Sequence, residues 1–163
     1  MRTILDCFGL TINEAKSSLS PATRLEHLGL VVDFRKREFA VPPAKLCKLK
    51  SLAMELALHA ASHRRYVPKR VLASFVGSAI SLCPAVPAGR FHLLPLYDAI
   101  NSVPGWKRTT VVRLSNGGYR QLKYFWTQLQ LRDCAVPWEP ATPDELLFTD
   151  SSDFGLGAHT IPL

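Results

Sequence analysis

A chain of 163 residues, 47% hydrophobic and 20% charged, is long enough to bury one core or parts of two and too apolar to be disordered. Its formal charge of +7 sets it apart from acidic, solvating proteins and points to anionic partners. The excess is local: from Arg35 to Arg70, ten Lys/Arg (35, 36, 37, 45, 48, 50, 64, 65, 69 and 70) face only Glu38 and Glu55, a net +8 that leaves the rest near neutral.

Met1 to Leu10 reads as a short helix or strand broken at Gly9, and no signal peptide is evident because Arg2 and Asp6 bracket too short an apolar run. Arg24 to Asp33 reads as a strand interrupted by Gly29. Arg35-Lys36-Arg37 makes a basic turn, and Glu38 to Val41 returns as a second strand. A tight hairpin with a glycine lets backbone come close to phosphates, although such a hairpin serves equally well as scaffold.

Pro42-Pro43 opens a helix, since proline suits a first turn. Apolar residues at 46, 49, 52, 53, 56 and 60 carry its period to about Ala61, with Lys45, Lys48 and Lys50 largely off that stripe. His63-Arg64-Arg65-Tyr66 is a basic loop. Pro68 opens the next helix, with Leu72, Phe75, Val76, Ala79 and Ile80 on one face and Pro84 ending it. Val71 to Gly89 is free of charge for nineteen residues, nominally a bilayer span. Ser74, Ser78, Ser81, Pro84 and Pro87 make it a buried helix followed by a turn, with no membrane partner expected.

Arg90 to Asn101 forms a third helix dented by Pro95, and Val103 to Arg113 is a Pro/Gly-broken link carrying Trp106-Lys107-Arg108. Ser115 is the N-cap of a helix to about Leu131, with Leu122, Phe125, Trp126 and Leu129 inward. Pro137, Pro140 and Pro143 punctuate the following linker. Trp126 and Trp138 could stack on bases, but buried packing is the better reading. Cys7, Cys47, Cys83 and Cys134 form no Cys-x-x-Cys pair and read as reduced thiols of an intracellular protein, cytoplasmic or nuclear. His59 and His63 lie at i, i+4 with Cys47 upstream, but a second Cys and a zincin Glu are missing, so two helix histidines near phosphate is the plainer account.

Leu146 to Phe148 lead to Asp150, Ser151-Ser152-Asp153 read as a turn, and Gly155-Leu156-Gly157-Ala158 begin a second extended segment. This is a β-hairpin whose first strand ends on a carboxylate. Asp150 and Asp153 do not complete a two-metal site, which needs several convergent carboxylates.

The run Thr149-Asp150-Ser151-Ser152-Asp153-Phe154-Gly155-Leu156-Gly157-Ala158 resembles the opening of a ribonuclease H domain in retroelement polyproteins, usually Thr-Asp-Ala-Ser-x-x-Gly-x-Gly-Ala, with Ser151 in place of Ala. Upstream, Gly9, Asn13 and Lys16 match motif D of reverse transcriptases, and His27-Leu28-Gly29 matches motif E, the primer grip, with His27 where Phe is usual. The helices carrying Leu72-Ala73-Ser74-Phe75-Val76-Gly77 and Ala85 to Phe91 resemble a thumb, closer to DIRS-type retrotransposons than to retroviruses and sharing its outline with gypsy-type elements.

The resemblance implies an α+β fold: an end-of-palm β-hairpin over 1–41, a helical thumb over 42–102, a connection over 103–144, and the first hairpin of a truncated ribonuclease H-like domain over 145–163. It implies a catalytic role for Lys16, as general acid or electrostatic clamp at a triphosphate, and a catalytic, Mg2+-binding role for Asp150 in the intact parent enzyme. His27, Leu28 and Gly29 would grip the primer. Lys45, Lys48, Arg64, Arg65, Lys69 and Arg70 would bind the backbone of an RNA–DNA hybrid or duplex, beside the remaining fingers, palm and ribonuclease H of the parent. With no Tyr-x-Asp-Asp, no fingers and no later ribonuclease H acids, the chain alone is expected to be inactive as polymerase and nuclease. A second reading is a non-catalytic nucleic-acid-binding or scaffold module. A third is a fragment that does not fold, because the hairpin at 25–41 would leave unpaired sheet edges and the strand at 146–150 would lack its sheet.

Overall fold

The structure, a computed structural model, describes residues 4, 7–9, 11–13, 17, 20–130, 134–139, 145–152 and 155–162. In chain order its strands and helices begin with β1 (Arg24–His27), β2 (Leu30–Asp33), β3 (Glu38–Ala40), α1 (Pro43–Ser62), β4 (Tyr66–Pro68) and α2 (Lys69–Ile80). After a 3-10 turn at Cys83–Ala85 come α3 (Gly89–Asn101), β5 (Val111–Arg113), α4 (Asn116–Lys123), β6 (Ala135–Pro137), β7 (Glu145–Ser152) and β8 (Gly155–Pro162). The described residues are therefore α+β, with several helices and three small antiparallel sheets among them.

The stretch expected as one interrupted strand, Arg24 to Asp33, is a pair of strands turned back at Leu28-Gly29. Both turn residues have positive φ, 49° and 85°, the combination a two-residue type I′ loop requires. Glycine adopts it freely, whereas for Leu28 it costs roughly 1 kcal/mol. The second turn is set by Asp33, whose Oδ1 accepts from the backbone N–H of Arg35 and of Lys36, both at 3.0 Å. Those bonds, the one from Lys36 first, hold the Asp33 carboxyl below its usual range, and Arg24 at 3.5 Å adds to the effect.

The expectation that this hairpin leaves its sheet edges unpaired is corrected at one edge. β6 returns to pair with β3, with Phe39 opposite Val136, giving the order β1-β2-β3-β6. Trp138, just beyond, packs edge-on to Phe34 at 5.1 Å and tilted against Phe39 at 5.8 Å, as the packing reading expects.

The apolar stripe of α1 is buried as its spacing predicts, through Leu46, Leu49, Ala53, Leu56, Ala57 and Ala60. α2 buries Leu72, Phe75, Val76 and Ala79, but Ile80, expected on the same face, is exposed in the last turn. Pro95 lies inside α3, and Gly118 in the first turn of α4 fits against it: a Cβ there would sit 3.4 Å from the Pro95 carbonyl oxygen. The helix expected to run from Ser115 to about Leu131 stays α-helical only to Lys123 and widens into a π turn over Tyr124–Gln128. Across that turn Tyr124 stacks on His92 at 3.5 Å while Phe125 meets Phe75 edge-on at 5.4 Å, so adjacent rings pack on α3 and α2.

One hydrophobic core runs from Val41 to Cys134 and joins all four helices to β4 and β5. The segments expected as thumb and connection share it. β4 and β5 were read from sequence as loop and broken link; they pair with Val67 opposite Val112, both fully buried. No helix among the described residues is long and apolar enough to cross a membrane.

β7 and β8 pair as a two-stranded ribbon in which Asp150 lies opposite Gly157. The first strand does not end at Asp150 as expected. It continues to Ser152, opposite Gly155, because two more ladder pairs form before the chain reverses.

Candidate nucleic-acid interface

α1 is a rod of 20 residues with basic side chains at both ends. At its N-terminal end, Lys45 reaches back to the hairpin tip. Its ammonium donates to the Gly29 carbonyl at 3.0 Å and lies 3.5 Å from Glu26. A Cβ on Gly29 would sit 2.1 Å from Lys45 Nζ, a clash the flexible lysine can relieve by moving, so it is the φ of 85° that favours glycine there. The expected primer-grip residues are thus one exposed tip, with Leu28 at 91% exposure, braced by an expected nucleic-acid contact. Lys48 is exposed one turn further on, beside a small groove that Ser78 and Ser81 also line.

Two more of the six expected backbone-binding cations, besides Lys45, are tied to chain carbonyls. Lys69 is buried, at 3% exposure, donating to the carbonyls of Val103 and, at 3.0 Å, Gly105, with its ammonium 4.3 Å from the centre of the Trp106 ring. Sequence placed it on the surface because charged residues are mostly exposed; the chain carbonyls around it satisfy it inside. Arg70 is exposed but donates through Nε at 2.9 Å and Nη2 at 2.6 Å to the Trp106 carbonyl. Together these two residues fasten the 103–110 link to α2.

At the C-terminal end of α1 the chain turns through two consecutive left-handed residues, Arg64 with φ 49° and Arg65 with φ 70°. The turn is fixed by the Arg65 N–H donating to Ala60 O at 2.7 Å and by Leu114 N–H donating to Arg65 O at 2.9 Å. Arg65 also donates to the Asn116 Oδ1 and lies 5.4 Å over the Tyr119 ring. β5 places Arg113 beside this turn, opposite Tyr66, and α4 begins next to it with Ser115 Oγ accepting from Gly118 N at 3.0 Å. The result is a cleft of about 650 Å³ bordered by Arg64, Arg65, Arg113, Asn116 and Tyr119. A second hollow of about 430 Å³ shares Arg65, Asn116 and Tyr119 and adds Arg120. No aspartate or glutamate among the described residues lines either.

Compared with known protein families, curated proteins and solved structures, the chain matches none.

The cleft and the hollow beside it are bordered by Arg64 and Arg65, two of the expected cations, and by Arg113 and Arg120, which the sequence did not single out. Arg113 lies in a segment that reads as an irregular link, and the three residues Val111-Val112-Arg113 are too few for a periodic signal to mark it as a strand. Lys16 lies outside the described residues. Of Asp150 the structure describes the backbone in β7, and its carboxylate lies outside the description. Among the described residues no three His, Cys, Asp or Glu side chains gather as metal ligands. His59 and His63 stack at 4.0 Å, and His63 Nδ1 donates to the His59 carbonyl at 2.9 Å. That pair caps the end of α1 and brings no third ligand.

Proposed function

We propose that this chain is the end of the palm, the thumb, the connection and the ribonuclease H opening of a retroelement reverse transcriptase/ribonuclease H polyprotein, and that it binds the backbone of an RNA–DNA hybrid or duplex. The order of motifs along the sequence supports the origin. The observation that supports the binding is the arginine-lined cleft at the end of α1, bordered by Arg64, Arg65 and Arg113 and extended by Arg120, with no lining carboxylate. Guanidinium groups grip phosphate oxygens in pairs and read little sequence, which suits a hybrid recognised by its shape and backbone. The 163 residues contain no Tyr-x-Asp-Asp, so on this reading the paired metal-binding acids of the polymerase belong to residues other than these, and the chain alone is inactive as a polymerase.

The test is binding of the folded chain to a labelled RNA–DNA hybrid, followed by fluorescence anisotropy from about 50 to 200 mM salt. Affinity should fall steeply with salt and be lost when Lys48, Arg64, Arg113 and Arg120 are neutralised together. A folded sample that fails to bind at the lowest salt overturns the proposal. The alternative, a scaffold module with no nucleic-acid role, predicts that result.

A further inference from the structure

We propose that the arginine cleft is a receptor for a phosphomonoester, the terminal phosphate of a nucleic-acid strand, rather than only a track for internal phosphates. This rests on the nucleic-acid reading above and narrows it to one chemical group.

Basic residues from separate elements border two adjoining hollows. Arg64 and Arg65, just past the end of α1, and Arg113 from β5 line one, and Arg65 and Arg120, with Asn116 at the start of α4, line the other. An internal phosphodiester offers two free oxygens and one charge, its other oxygens continuing into the chain on both sides. A phosphomonoester offers three free oxygens and close to two charges at neutral pH, so it can accept from several directions at once. Guanidinium groups on several sides of a hollow therefore suit a chain end better than a passing backbone.

The backbone is arranged for the same group. Two successive non-glycine residues are held in the left-handed region at Arg64 and Arg65, a costly conformation, with Arg65 fastened by its backbone bonds to Ala60 and Leu114. At the start of α4, Ser115 Oγ takes up the Gly118 N–H, and the first helical residue, Asn116, borders both hollows.

The test compares two single-stranded oligonucleotides of one sequence, one ending in a 5′-phosphate and one in a 5′-hydroxyl, binding to the full chain in one buffer. A second pair compares the two 3′ ends. A phosphorylated end should bind at least about tenfold more tightly than its hydroxyl counterpart. Arg113→Gln and Arg120→Gln should each reduce that preference to near unity while leaving the unfolding midpoint unchanged. Displacement by a free nucleoside monophosphate at matching concentration would assign the site to a free nucleotide; displacement only by strands would assign it to a strand end. Either supports a phosphomonoester receptor. Equal affinity for phosphate and hydroxyl ends overturns the receptor and leaves backbone binding standing, whereas no binding of either oligonucleotide, or of a hybrid, overturns both.

Discussion

At the N-terminal end of α1, Lys45 turns its ammonium toward the Gly29 carbonyl and Glu26, and at the start of α2 Lys69 is enclosed by the carbonyls of Val103 and Gly105. At the C-terminal end of α1, Arg65 satisfies Asn116 and Tyr119 and still borders an open cleft with Arg64 and Arg113. The same net charge is used as internal bracing in one region and as exposed donors in the other. The side chains explain the division. An ammonium has three donors at one point and is absorbed by two or three oxygens, whereas a guanidinium has five spread over a plane and keeps some free after bonding once. A basic run in a sequence therefore overstates the binding surface when much of it is lysine beside chain carbonyls.

The largest break in this comparison should come from Lys69→Ala. Leaving two carbonyls and the Trp106 face without their cation should cost about 2–3 kcal/mol in urea unfolding. A loss below half a kcal/mol would show that the ammonium is no brace. Next in size, Arg120→Ala should weaken hybrid binding by about tenfold with stability nearly unchanged, since the side chain is exposed and one charge-assisted contact is removed. Lys45→Ala should cost only about 0.5–1 kcal/mol, because the ammonium is partly in water, and should show as faster hydrogen exchange at the Leu28-Gly29 turn. The smallest effect is in acid. Asp33 titrates below its ordinary 3.8 in the folded chain, so its contribution is present above that pH and lost as pH falls through the lower folded value. Wild type and Asp33→Asn should therefore differ in the pH dependence of their melting temperatures only on acidification below 3.8, and parallel curves there would remove the carboxyl from the turn.

The long elements were legible because their signals are repetitive. The stripe from Leu46 to Ala60, the prolines before α1 and α2, and the Ser115 cap are each stated several times over in the sequence. What was illegible depends on partners far away in the chain. β4 and β5 are three residues each, too short for a periodic signal, and exist because Val67 and Val112 meet in the core. The bend of Ser115's helix into a π turn follows from His92 and Phe75 across the core, not from its own residues. The site divides the same way. The Arg64-Arg65 pair is visible as a basic dipeptide, but its meeting with Arg113 and Arg120 is produced by the β4–β5 pairing, which no local pattern announces.

The pairing of β3 with β6 sets a timetable for synthesis. About 95 residues separate Ala40 from Ala135, so at roughly 5–20 residues per second the ribosome takes about 5–20 s to deliver the strand that covers the β3 edge. Throughout that interval the meander presents Phe39 and open hydrogen-bonding groups to whatever else is in the cell. The helical core, whose first contacts lie close together in sequence, can assemble in the meantime. A stalled or shortened translation product that stops before Ala135 would therefore carry a sticky sheet edge on an otherwise folded body, and should be a client for chaperones where the full chain is not.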